Sequence, residues 1–205
     1  MKRIFVGHCL PTVLALTLLL TGCLSRPGTE RQNFALQTPA LTNTAAAGTG
    51  VLAIRSCEVS PLFANRALVY RTGPNTYETD PYAGFLIPSG QALSIPVRAY
   101  LANSGLFGSV SEPDSSVLAD RFLQVYVTEL YGDFQKSGEP AAVLSLRVTL
   151  FESEQGRAGK HLFQKNYTQR VTLSKNTAAA VVAGWDQALG QIMGEVVNDL
   201  RTANP

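Results

Sequence analysis

The sequence predicts an α+β fold, an antiparallel-rich sheet with two helices packed on one face. Three observations carry that prediction. In residues 142–152, AVLSLRVTLFE, alternation is strict: Leu144, Leu146, Val148 and Leu150 point one way, Ser145, Arg147 and Thr149 the other. Runs of the same kind at 121–134 and 162–173 flank it, with links short enough for an antiparallel meander. Finally, Val181, Trp185, Leu189, Ile192, Val196 and Leu200 recur at spacings of 4, 4, 3, 4 and 4 residues, which is one face of an α-helix.

The chain begins with a segment of a different kind. Lys2 and Arg3 precede a mostly apolar run, 4–20, interrupted by His8 and Pro11. That is the form of an export signal, and it is short and impure for a membrane-spanning helix, which needs about 20 apolar residues. It ends in Leu20-Thr21-Gly22-Cys23. These four residues resemble the lipobox of bacterial lipoproteins. The resemblance implies that the Cys23 thiol receives a diacylglyceryl group. Signal peptidase II would then cut between Gly22 and Cys23, and the new amino terminus would be acylated, with palmitate among the chains. Two or three acyl chains hold a protein on a bilayer firmly, where one holds it only reversibly. The expected organisation is a signal peptide (1–22), a lipidated cysteine with a flexible tether (23–33) and a single domain (34–205). The lipoprotein sorting rule retains a protein in the inner membrane when aspartate follows the cysteine. Leu24 stands there, which implies the outer membrane, facing the periplasm.

Of 17 basic residues, Lys2 and Arg3 leave with the signal, so 15 remain against 15 acidic ones. Such balance argues against nucleic acid, which requires a concentrated basic footprint. Cys9 also leaves and Cys23 is consumed by lipid, so Cys57 is left without a disulfide partner and reads as a small buried hydrophobe.

The elements follow in order. The polar, Pro- and Gly-containing 24–32 reads as tether and 41–50 as a flexible loop, with FALQ (34–37) between them as a short strand. Residues 51–57 alternate, with Leu52 and Ile54 on one side; 66–72 is a second strand and 75–79 a third, joined by a turn at Gly73-Pro74. A helix is expected over 96–105, with Pro96 at its first position and Gly105 at its C-terminal cap; a start near Ser89 would place Pro96 inside it. After the second of the three alternating strands, 154–161 is a polar hairpin-type connection. The last helix, 177–201, is capped by Asn176 or Thr177. Its Gly184, Gly190 and Gly194 are poor helix formers, each costing about 1 kcal/mol relative to Ala. Their expected role is to let the helix lie close on the sheet.

The run VSPLFANRALVYRTGPNTYE (59–78) resembles the ABC-type transport auxiliary lipoproteins, the family that includes paraquat-inducible protein C. The resemblance rests on Val59, Pro61, Leu62, Phe63, Asn65, Arg66, Leu68, Val69 and Arg71, on FALQ, on LANSGLFGSV (101–110) and on the C-terminal amphipathic helix. It departs at Phe85, where the family usually has tryptophan entering the first helix. It implies a non-enzymatic auxiliary of an ABC transporter and a mammalian-cell-entry (MCE) domain periplasmic protein, moving lipids or other apolar molecules. The lipoprotein would dock the periplasmic assembly at the membrane. Candidate contacts are the open sheet edge and the stretch 77–85, whose Tyr77, Tyr82 and Phe85 are many aromatics for a solvated loop, although they could also fold back as core. Arg66 and Arg71 flank a strand, either as solvated ends or as donors to the neighbouring loop.

Two other classes compare with this one. An enzyme would need a constellation that is absent: no GxSxG, HExxH, CxxC pair or glycine-rich phosphate loop occurs. His161 sits in a polar connection, and the pairs Glu152/Glu154 and Asp114/Asp120 carry no acid–base signature. No metal or cofactor is expected. A stand-alone lipid carrier, or a lipopolysaccharide-export lipoprotein, would use the apolar strand faces of 122–127 and 142–148 as a pocket lining, where the default is core.

Overall fold

Alternation along 121–172 builds the frame on which the other elements are hung. The structure, a computed structural model, describes residues 30–37, 48–111, 115, 117–136 and 138–203. In chain order its elements are β1 (Gln32–Phe34), β2 (Val51–Val59), β3 (Ala67–Gly73), β4 (Thr76–Phe85), α1 (Ser89–Asn103), β5 (Ser109–Ser111), β6 (Arg121–Asp133), β7 (Ala141–Glu154), β8 (Arg157–Thr172) and α2 (Ala178–Ala203). The signal segment, Gly22, Cys23 and most of the expected tether lie outside the described residues.

The predicted meander is present: β6 pairs antiparallel with β7, and β7 with β8. The rest of the sheet is less regular. Along the other edge of β6, β2 runs parallel beside 121–127 and β3 runs parallel at Gly132 and Asp133. Outside them, β5 lies parallel to β2, β4 antiparallel to β3, and β1 parallel to β4. The sheet is therefore mixed: most of its ladder is antiparallel, and four pairings are parallel. A parallel partner requires a long crossover, and β2 reaches β6 only after a chain excursion that includes α1.

Helix α2 packs on β7 and β8, α1 packs on β2, and the two helices touch. All six residues of the predicted α2 face are fully buried, and with the inward residues of the strands and of α1 they form one apolar cluster. Thr177 caps α2 through Oγ1, which accepts the Ala180 N–H at 3.2 Å. Gly184 lies against the sheet so closely that an added Cβ would stand 2.6 Å from Ala142 Cβ and 2.8 Å from Leu173 Cδ2. Beyond it, Asp199 ties α2 to the sheet, accepting from Lys165 Nζ at 2.7 Å and from the Tyr167 hydroxyl at 2.8 Å. These two donors hold its carboxyl below the usual carboxylate range.

Several boundaries differ from the sequence reading, each for a physical reason. Helix α1 takes the earlier of its two expected starts, Ser89, so Pro96 sits inside it, buried, and removes the N–H that would reach Ala92. Gly105 does follow the C-cap residue Ser104 with φ +65°, the left-handed position expected of it. Strand β1 is 32–34 rather than 34–37, which draws two residues of the expected tether into the sheet. The stretch 77–85 is not a loop but most of β4. Ala67 pairs with Gly84 and Val69 with Thr79, so residues 80–83 bulge out opposite Leu68. In β7, Ser145 and Thr149 are buried as well as the leucines, because longer side chains of β6 and β8 flank them. The expected connection 154–161 contracts to a two-residue turn at Gln155 and Gly156, both with positive φ, the type a tight hairpin favours.

The contact at Gly184 separates two glycines of one helix. Gly184→Ala should lower Tm by about 3–10 °C, from overpacking of about 1–3 kcal/mol. Gly194→Ala, whose Cβ would meet only Tyr100 Oη at 3.6 Å, should raise Tm through helix propensity, by about 0.5–1 kcal/mol. Calorimetry on both variants checks the opposite signs.

Asp199 gives a pH prediction. Its folded pKa is lowered, so the stability it adds is complete above the ordinary carboxylate range and fades as pH falls through the lowered value. Asp199→Asn should therefore cost up to about 1 kcal/mol at pH 7. The difference between variant and wild type should shrink in urea melts as pH falls to about 3 and below.

Candidate functional site

Face parity in β6 changes at a bulge between Val127 and Glu129. Before it Leu123, Val125 and Val127 enter the apolar cluster with the buried face of α2; after it Leu130 does, and Tyr131 and Asp133 turn to the other side of the sheet. There they meet residues from the turn after β2 and from β3 and β4. The rings of Phe63, Tyr77 and Tyr131 form a triangle with centroids 5.6–6.0 Å apart. The Arg71 guanidinium lies over the Tyr131 ring, and its Nη1 donates to the Tyr131 hydroxyl at 3.0 Å. Its Nε is buried and has no hydrogen-bond partner among the described residues. Beside them Asp133 accepts from Arg170 at 2.5 Å. Burial alone would raise the Asp133 carboxyl, but Arg170 and the Gln135 N–H hold it below the ordinary carboxylate value.

The three aromatics read as contact candidates occupy different environments. Tyr77 is the exposed corner of the triangle, 42% accessible, and Tyr82 projects from the β4 bulge, 51% accessible. Asp80 shapes that bulge: one carboxylate oxygen accepts the N–H groups of Tyr82 and Ala83 at 2.8 and 2.9 Å, the other the Tyr70 hydroxyl at 2.7 Å. Phe85 is a correction to the sequence reading. It is 1% exposed and stacks on Trp185 with centroids 5.7 Å apart, so it belongs to the core and not to a surface. Its place is fixed by Arg66, whose Nε donates to the Phe85 carbonyl and whose Nη2 donates to the Leu86 carbonyl. The Arg66 carbonyl accepts the Phe85 N–H in return. Arg66 and Arg71 thus both act as donors to neighbouring elements, Arg66 while exposed and Arg71 while half-buried.

Sequence reasoning misses Tyr131 and Asp133. Strict alternation continued from Leu123 places Glu129, Tyr131 and Asp133 on the helix face with Val127. The bulge reverses them, and nothing in TELYGDF marks it.

Other candidates are placed without being brought together. Cys57 is a buried strand residue, its thiol pushed up to about 12 by burial. His161 lies edge-on to Phe151 at 5.8 Å. Glu152 stands 3.8 Å from Arg121, and Asp120 accepts the Val51 N–H at 2.7 Å; Asp114 lies outside the described residues. Among the described residues no three His, Cys, Asp or Glu side chains converge as a metal site, and no helix is long and apolar enough to cross a membrane. A surface cavity of about 600 Å³ is bounded by the 48–51 strap, Leu106, Phe107, Asp120 and Arg121.

The fold is similar to the crystal structure of protein XCC0632 from Xanthomonas campestris, of the DUF330 family, with TM-score 0.72 and 21% identity over 84% of this chain and 96% of that one. It is also similar to an uncharacterized protein of known structure, with TM-score 0.64 and 19% identity over 83% of this chain and 99% of that one. At these identities the likeness is one of fold. No curated protein matches the chain. The family profile of the ABC-type transport auxiliary lipoprotein component matches residues 34–197, from the end of β1 to the last turns of α2. The chain belongs to that family of lipoproteins.

Proposed function

We propose that the protein is a non-enzymatic docking subunit of an ABC transport system of the MCE type, which moves lipids or other apolar molecules across the envelope. Acyl chains on Cys23 would hold it on the outer membrane, and its domain would hold an MCE-domain protein and, through it, the permease and ATPase. The observation that carries this reading is the family match across the whole folded domain, together with the lipobox upstream of it. The proposed contact is at Tyr77 and Tyr82, two exposed tyrosines, the first packed on the buried rings of Phe63 and Tyr131 and the second projecting from the bulge that Asp80 shapes. Anchored aromatic side chains of this kind lose little conformational entropy when they bind. Charge balance favours apolar and hydrogen-bonded contacts, so the complex should survive moderate salt.

The carrier reading is less well supported. The apolar strand faces that would have lined a lipid pocket are occupied: Leu123, Val125, Leu144, Leu146 and Val148 are buried in one cluster with Trp185, Leu189 and Ile192.

Two outcomes test the proposal. Cys23→Ser should abolish palmitate labelling and release soluble protein or leave unprocessed precursor; continued labelling and membrane fractionation would remove the anchor. Wild-type protein extracted in mild detergent should co-purify with an MCE-domain protein. Tyr77→Ser with Tyr82→Ser should lose that partner, with Tm lowered by no more than a few degrees. Phe85→Ser, by contrast, should cost about 3–5 kcal/mol of stability as a core substitution. Partner retention by the double tyrosine variant would move the contact elsewhere on the surface.

A further inference from the structure

Among the described residues the sheet has three open margins, and they are unequal. Two end in three-residue strands, β1 and β5. The third is β8, sixteen residues long, which pairs with β7 along one side only. A margin of that length presents a row of backbone donors and acceptors to any extended chain. Natural sheets blunt such edges with proline, bulges, inward charges or charged side chains, lysine above all, and of these a run of basic side chains is what β8 carries along its length. Strand β8 contains no proline, and its register shifts lie between Ala158 and Phe163, so 163–172 is an even ladder.

Its side chains have a single sign. Arg157, Lys160, Lys165 and Arg170 are basic and no residue of the strand is acidic. Lys165 is held by Asp199 and Arg170 by Asp133, while Arg157 stands opposite Glu154 across the hairpin turn. Lys160 has no ion-pair partner among the described residues. Gln164, Asn166 and Thr168 between them are exposed.

We infer that the free edge of β8 receives an extended strand from a partner, and that the partner strand carries acidic side chains. The charge pattern selects the occupant. A second copy docking β8 against β8 would set basic residues across from basic residues, which is unfavourable in directly opposed pairs. An acid-bearing strand gains the same backbone ladder with attractive pairs, strongest toward Lys160 and Arg157 at the hairpin end. The inference rests on the docking reading and gives that reading a second contact, distinct from Tyr77 and Tyr82.

The test uses full-length protein in detergent and hydrogen exchange of the β8 amides. The probe is a ten-residue peptide alternating valine and glutamate, and the control has lysine in place of glutamate. The glutamate peptide should slow exchange at alternate amides of β8, and the lysine peptide should not. Arg157→Glu with Lys160→Glu should weaken glutamate-peptide binding about tenfold, both sites being solvent-exposed. No protection by either peptide, or equal protection by both, overturns the inference. Protection that rises with protein concentration in the absence of peptide overturns it in favour of a second copy. Failure of docking itself reads differently: β8 then binds the glutamate peptide while no MCE-domain partner co-purifies.

Discussion

The position of Trp185 is the constraint on which the rest of the structure depends. The side chain is fully buried, and its indole N–H is shared between the carbonyls of Tyr131 and Val143 at 3.3 and 3.1 Å. A buried donor without a partner would cost about 1–3 kcal/mol, so the indole fixes how α2 sits over β6 and β7. On its other side it stacks on Phe85, which fastens the end of β4 to the same helix. Gly184, the preceding residue, permits that depth because it has no side chain to hold the backbone off Ala142. Four elements therefore meet at one ring, and the departure from the family's usual tryptophan near the first helix falls on Phe85, its stacking partner.

Fixing α2 in this way decides what the opposite side of the sheet can be. With the apolar side chains of β6 and β7 committed to the helix, the bulge after Val127 sends Tyr131 and Asp133 outward. These two side chains then become the floor for Phe63, Arg71 and Tyr77. The two arginines are held by different devices, Arg66 by strand-end carbonyls and Arg71 by a phenol and its ring, with the Arg71 Nε left without a partner among the described residues. Exposure of Tyr77 is thereby a consequence of the packing of Phe63 and Tyr131 beneath it.

How much of this is legible in the sequence follows from where the information lies. Periodicity is local, so β6, β7, β8 and α2 can be read directly from runs such as Leu144 to Leu150 and Val181 to Leu200. Parallel pairing is not local: nothing in VLAIRSC states that Leu52 will lie beside Arg121. Bulges erase the period in the very places where they occur, which is why β4 reads as a loop around Asp80 and why Tyr131 falls out of phase. Pro96 reads as a helix start because a first-turn proline costs nothing, whereas α1 tolerates it inside a buried turn. The candidate site is half visible. Tyr77 and Tyr82 can be picked out as aromatics in a polar stretch, but only the register of β4 shows that Phe85, three residues on, faces the opposite way.

The outer side of the meander explains why the proposed contacts lie at its ends and its edge rather than at its middle. Across β6, β7 and β8 the polar side chains already bond one another: Ser145 to Glu129 at 2.5 Å and to Thr168 at 2.9 Å, and Arg147 to Asn166 at 3.2 Å. A partner lying flat on this surface would have to break those bonds to make its own, and would exchange like for like, since net gains per hydrogen bond are only about 1 kcal/mol. The aromatic corner at Tyr77 offers rings whose lower edges are already desolvated, and the margin of β8 offers backbone groups that no neighbouring strand among the described residues has satisfied. Both leave a partner something to gain, and the satisfied polar ladder between them does not.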